Sequence, residues 1–252
     1  MLYNILIVYP LYHILYPMIQ KARSRLEEVL IDDVATSGAS LYHKLTQMAV
    51  YKYESSRRDL EAARMEYMFY FYRNGKGKGR MQSKKMWPAD VVIRYNEGNK
   101  RIVEIIEVRT MTTNTFRLGT NKIKKKLSMA EEALPYRNLN HILYGADEVR
   151  FSIAISTTRM DKAKAEAGAY KLARRLGKLK TQYGMKTSSV LLVKDDLFKY
   201  CPGRRYSGNN YHGKRRELEG AFDGMPSSWP EEACEEYATR EGPKIIVEGL
   251  NS

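Results

Sequence analysis

Between residues 87 and 110 the apolar and polar positions alternate in a pattern that predicts a β-hairpin. Val91-Val92-Ile93 is a β-branched run directly after Asp90, Asn96-Glu97-Gly98-Asn99 supplies a turn, and Ile102 to Val108 returns as a second β-rich run. Upstream, Leu41, Leu45, Met48 and Leu60 recur at helical spacing and predict a helix that begins at Leu41, with Ser40 as its N-cap, and continues as a helical run to Glu66. The aromatic run Tyr67 to Tyr72 suits a buried strand. Downstream, the pattern predicts a helix over 121–134, a strand over 149–155, a basic amphipathic helix over 162–183 and a strand over 188–193. Such an alternation implies an α/β fold with a central mixed sheet flanked by helices.

The ends of the chain read differently. Residues 1–40 form an apolar and helical N-terminal extension, with a helix over 18–34 that ends at the turn Thr36-Ser37-Gly38. Residues 41–200 hold the strand and helix alternation. From 201 to 252 the period is lost, and a loop-rich extension, basic and then acidic, is expected, with the closing IIVEGL as an edge strand.

The acids on the hairpin change this picture. Side chains on a strand alternate faces, so Glu107 and Arg109 share one face while Glu104 lies on the other. Asp90, expected at the mouth of the first strand, comes beside Glu107 when the two strands pair. Two carboxylates and a cation then meet at one sheet end. Hard divalent cations take oxygen ligands from one or two carboxylates plus substrate phosphate, and a bound ion lowers the pKa of its water while offsetting charge on a phosphoryl group. The chemistry expected is metal-assisted phosphodiester cleavage.

At Pro88-Ala89-Asp90 and Glu107-Val108-Arg109 the sequence resembles the PD-(D/E)XK nuclease superfamily, whose signature is Pro-Asp, a short hairpin, then acid-X-Lys on the next strand. Glu54, the run to Glu66, the aromatic strand and the Gly/Lys loop resemble the start of archaeal Holliday junction resolvase-like nucleases, over roughly residues 52–157. The resemblance implies a restriction-endonuclease-like core, Mg²⁺ or Mn²⁺ held by Asp90, Glu107 and the Val108 carbonyl, Glu54 as a helper acid, and a homodimer acting on branched or junction DNA. Two departures stand out. Ala89 separates the proline from the aspartate, and Arg109 replaces the lysine. Arginine stays protonated, so it can clamp a phosphate but cannot act as a base. In some members of the superfamily the lysine moves to the following helix, where Lys124, Lys125 and Lys126 stand.

Composition adds a partner. A formal charge of +14 and a pI near 9.6 point to a polyanion, nucleic acid above all. The segment 74–85, NGKGKGRMQSKK, interleaves glycines with Lys76, Lys78, Arg80, Lys84 and Lys85, and such a loop can follow a sugar-phosphate backbone. Lysines 122 and 124–126 crowd what the pattern predicts as a first helical turn, where they oppose the macrodipole unless an anion is near. Residues 1–20 carry no Asp, Glu, Lys or Arg, but Pro10, Pro17, Asn4, His13 and four tyrosines argue for burial against protein over membrane association. Two cysteines outside any metal-binding spacing fit an intracellular, reducing setting. Phosphate loops, dinucleotide-binding glycine fingerprints, HExxH and nucleophile elbows are missing from the sequence, so no small-molecule cofactor is expected. Metal-dependent DNA cleavage is the leading expectation. Its alternatives are a catalytically inactive nucleic-acid-binding protein on the same fold and a membrane-peripheral assembly protein.

Overall fold

The computed structural model describes residues 30–32, 34–36, 41–73, 83–111, 115–157, 161–179, 181–193, 211–222 and 242–248. Its elements are α1 (Leu41–Ser55), β1 (Leu60–Arg73), β2 (Ser83–Glu97), β3 (Lys100–Met111), α2 (Thr115–Ala133), two 3₁₀ turns (Leu134–Leu139 and His141–Leu143), β4 (Glu148–Thr157), α3 (Lys162–Leu176), β5 (Lys186–Val193), α4 (Tyr211–Phe222) and β6 (Lys244–Glu248). The six strands form one mixed sheet in sequential order. β1, β2 and β3 are an antiparallel meander, β4 and β5 add in parallel, and β6 closes the far edge antiparallel to β5. The expected α/β sheet flanked by helices is thus present.

Contacts divide the chain into two units. One holds 40–203 with 233–252 and contains the sheet; the other holds 1–39 with 204–232. Within the second, residues 30–32 and 34–36 are helical and α4 buries Leu218, while Arg215 on α4 pairs with Asp32 and Glu219. A helix therefore stands inside the stretch expected to be loop-rich. Among the described residues no helix is long and apolar enough to cross a membrane; residues 1–20 lie outside them.

Strand alternation sorts the sheet core onto two faces. Val103 and Ile105 of β3, Phe151, Ile153 and Ile155 of β4, and Ile123, Leu127 and Ala130 of α2 share one cluster with Ala169 and Leu172 of α3. Ile102, Ile106 and Val108 point the other way, where α1 packs across β1 to β4. Trp87 stacks on Phe69 at 5.4 Å inside the first cluster, and both are fully buried. Large apolar rings of this kind each contribute roughly 1.5–3 kcal/mol by leaving water.

Three local expectations are corrected. The run Leu60–Glu66 is strand, because LEAARME, a good helix former by composition, is captured by pairing with β2 from Leu60↔Tyr95 to Met65↔Val91. Helix α2 starts at Thr115, six residues before the expected Asn121, so Lys122 and Lys124–Lys126 lie in its middle and the macrodipole argument falls away. Helix α3 ends at Leu176, capped by the Gly177 N–H on the Ala173 carbonyl, seven residues short of Tyr183. Its start, at Asp161, is a side-chain cap on the N–H groups of Ala163 and Lys164.

Candidate functional site

Asp90 does not open its strand; it lies inside β2 at the point where β2 and β3 part. The last paired residues of the two strands are Val91 and Ile106, and from Ser83 to Pro88 the β2 strand pairs with β1 alone. Pro88, which has no N–H to give, sits in this singly paired stretch, the setting in which a strand tolerates proline. Where the strands separate, the Asp90 side chain replaces the missing ladder contact: its Oδ2 accepts the Val108 N–H at 2.7 Å.

A second irregularity faces it. The β1–β2 ladder passes from Met65↔Val91 to Tyr67↔Ala89, and between them Glu66 adopts a φ of 51°, a left-handed conformation uncommon for a residue with a side chain. Glu66 is anchored by the buried Lys44 of α1. Opposite this kink the Asp90 carbonyl accepts the Gln47 side-chain N–H at 2.7 Å, also from α1. His43, one turn earlier, brings Nε2 to 3.4 Å from Asp90 Oδ1. Helix α1 thus holds both the backbone and the side chain of Asp90.

Glu107 is held from the other side of the sheet. Its side chain is fully buried, and its Oε1 takes the Arg109 guanidinium at 2.6 Å and the Lys126 ammonium of α2 at 3.0 Å. Lys126 also lies 5.6 Å from the Trp87 ring centroid. Oε2 of Glu107 is buried without a hydrogen-bond partner, as are Arg109 Nε, Thr110 Oγ1 and Trp87 Nε1. Native interiors rarely leave buried polar atoms unpaired, and here several belong to one corner.

The electrostatics follow from this geometry. Burial raises the Glu107 carboxyl to about 7, the Asp90 charge adds to that, and Arg109 and Lys126 oppose it. Burial also works against the Asp90 anion, but His43, the Val108 N–H and Lys126 outweigh it and hold Asp90 below its ordinary value. Two neighbouring carboxyls are thereby pushed apart, the pattern expected of a pair that shares a proton or a cation.

Other expected site residues fall elsewhere. Glu54 does not join Asp90 and Glu107: it lies eleven residues beyond His43 on α1, about 16 Å along the axis at 1.5 Å per residue. Its neighbours are Arg57, at 3.3 Å, and the buried Glu104, which also receives the Tyr95 hydroxyl and Ser152. Glu54, Arg57, Tyr95 and Glu104 line a polar cavity of about 500 Å³ toward the start of the parallel strands, and neither Asp90 nor Glu107 lines it. Lys84 and Lys85 lie on β2 and are exposed, whereas Lys76, Lys78 and Arg80 lie outside the described residues. Lys124 and Lys125 are exposed on α2, leaving Lys126 as the lysine of that run that meets Glu107. His43 and Gln47 are contributors that the sequence reading did not single out.

No group of three or more His, Cys, Asp or Glu side chains able to hold a metal ion occurs among the described residues. A site here would rest on two carboxylates and backbone oxygen, and the unpartnered Glu107 Oε2, with acceptor capacity left on Asp90, suits a hard divalent cation. Searched against family models, curated proteins and solved structures, the chain has no match.

Proposed function

We infer that the protein is a metal-dependent endonuclease that hydrolyses DNA phosphodiester bonds on a restriction-endonuclease-like core. The observation that carries this reading is the buried Glu107, beside Asp90, with one oxygen gripped by Arg109 and Lys126 and the other unpartnered. The order of elements supports it: helix, aromatic strand, Asp90 strand, hairpin and Glu107-X-Arg109 strand follow one another as the PD-(D/E)XK resemblance requires.

Asp90 and Glu107 would hold Mg²⁺ or Mn²⁺, with the Val108 carbonyl as a further oxygen, and the bound ion would supply an acidified water and charge neutralisation at phosphorus. His43 and the Val108 N–H keep Asp90 ionised and oriented toward the site. Arg109 and Lys126, which meet Glu107 Oε1, would be the donors for the scissile phosphate. Lys126 supplies the compact ammonium that Arg109 cannot, from the next helix in place of the strand.

A second reading is favoured by one feature. Arg109 and Lys126 already meet Glu107, and His43 meets Asp90, within the fold, as in a structural polar cluster, which suits a nucleic-acid-binding protein without catalysis. The deciding experiment incubates purified protein with labelled linear, nicked, single-stranded and four-way junction DNA in Mg²⁺, Mn²⁺ or EDTA. Metal-dependent cleavage that vanishes in Asp90→Ala and Glu107→Ala protein supports the nuclease; inertness in every metal supports the binding protein.

A further inference from the structure

Beyond the point where β3 leaves it, β2 runs on with β1 as a two-stranded arm, and the arm has unlike faces. Phe69, Phe71, Trp87 and Ala89 are buried in the core. On the opposite face Lys84, Met86 and Pro88 are exposed, and the next position of that alternation is Asp90. Across the ladder Tyr72 pairs with Lys84 and Tyr70 with Met86. Met86 is 61% exposed and Tyr72 38%, an unusual display of large apolar groups on a strand.

The chemistry of this face fits one kind of occupant. Lys84 Nζ lies 4.4 Å from the Tyr70 ring centroid, so a cation and a π-face are presented together. The Tyr72 ring is steadied edge-on by Tyr136 at 5.6 Å, and the Tyr136 hydroxyl donates to the Tyr72 carbonyl. Aromatic rings, a polarizable methionine and a lysine on a protein of charge +14 match stacked bases on an anionic backbone. Successive same-face residues are about 7 Å apart along a strand, so Lys84 lies about 20 Å and Met86 about 13 Å from Asp90. Those spans accommodate a few unstacked nucleotides.

We propose that the Tyr70–Tyr72–Lys84–Met86 face is a track for unpaired nucleotides that leads a single-stranded segment to Asp90. It rests on the nuclease reading for its destination, and it narrows the substrate class to nucleic acid with a single-stranded arm, flap or overhang beside the scissile phosphate. A continuous duplex keeps its bases stacked internally and cannot use the rings.

The test is binding without metal. Full-length protein in EDTA is titrated into fluorescently labelled oligothymidylate, oligouridylate and a duplex of matching length. Tyr72→Ala should weaken binding to the single strands about tenfold, a typical loss for one stacked base, and binding to duplex less than twofold. Tyr72→Phe, which keeps the ring, should restore wild-type binding, and Met86→Ser should weaken single-strand binding in the same selective way. Preference between the two single strands assigns the track to DNA or RNA. If Tyr72→Ala lowers stability, the more exposed Met86→Ser carries the comparison. Equal losses on duplex and single strand, no loss with either variant, or a wild-type protein that ignores single strands would overturn the track. So would a dimer that Met86→Asp converts to monomer in sedimentation, because the face would then be an interface between copies. Cleavage plays no part in these measurements: an inert protein that discriminates as described loses the nuclease reading and keeps the track, and an active nuclease indifferent to Tyr72→Ala does the reverse.

Discussion

Lys126 Nζ stands 3.0 Å from Glu107 Oε1, and the Arg109 guanidinium reaches the same oxygen at 2.6 Å. Two cations thus share one carboxylate oxygen while the other oxygen is buried without a hydrogen-bond partner. If both cations serve the phosphate, Arg109→Ala and Lys126→Ala should each lower kcat by roughly 10²–10³, the loss typical of one preorganised electrostatic donor. Arg109→Lys should retain activity. In the double variant the losses should not multiply, because both groups act on one charge. Single-turnover rates on a cleaved substrate check this, and a full rate in Lys126→Ala protein would remove α2 from the site.

Removing either carboxylate should separate cleavage from binding. Asp90→Ala and Glu107→Ala should each abolish metal-dependent cleavage, while DNA affinity stays or rises because a negative charge near phosphate is gone. Calorimetric titration with Mn²⁺ gives an independent readout: the wild-type protein should show a heat of metal binding, and both variants should lose it. Wild-type heats in Glu107→Ala protein would place the ion elsewhere.

The hairpin and its acids were legible in the sequence because period-two alternation and a glycine turn act locally; Gly98 indeed turns the chain at a φ of 60°. The helix contribution was half legible. His43, Gln47 and Glu54 are spaced four and seven residues apart and share one face of α1, so the face was found but the turn was not. Which turn meets Asp90 depends on how far α1 slides along the sheet, and that is set by Lys44 reaching the kinked Glu66, a contact between residues 22 apart. Lys126 carried a clearer signal. It borders Ile123, Leu127 and Ala130, the buried stripe of α2, whereas Lys124 and Lys125 point away. The strand character of Leu60–Glu66 was illegible, since its residues favour helix and only pairing with β2 overrides them.

The outer edge of the arm depends on one side chain. Asn140 is fully buried; its Oδ1 accepts the Tyr70 N–H at 2.8 Å, and its Nδ2 donates to the Tyr70 and Tyr136 carbonyls, each at 2.9 Å. The amide thus stands in for a neighbouring strand on β1. Asn140→Ala should cost about 2–4 kcal/mol, since it orphans a donor and acceptors that folding has already taken from water. Asn140→Asp should also destabilise, because it keeps the acceptor but sets a carboxylate against two carbonyls. Urea unfolding midpoints decide, and a loss under about 0.5 kcal/mol in the alanine variant would mean that water replaces the amide.

Glu54 gives a pH dependence of defined sign. Burial, with the nearby Glu104 charge, raises its carboxyl from 4.5 to about 7, and Arg57 only partly opposes this. Between those values the folded state holds a proton that the unfolded chain has released, so stability falls as pH rises through the window and levels off above it. Glu107, raised in the same direction, adds to the slope, whereas Asp90, Glu61, Glu97 and Glu148 are lowered and act in the opposite sense at more acidic pH. Glu54→Gln mimics the protonated form at every pH. Below about pH 4, where the carboxyl is protonated in both states, it should match the wild-type protein; by pH 8 it should be more stable, by up to about 3 kcal/mol at 1.36 kcal/mol per pKa unit. Urea midpoints across that range test it. A constant difference between the two proteins would mean that Glu54 titrates as it does in the unfolded chain, and that the Glu54–Glu104 cavity admits enough water to screen both charges.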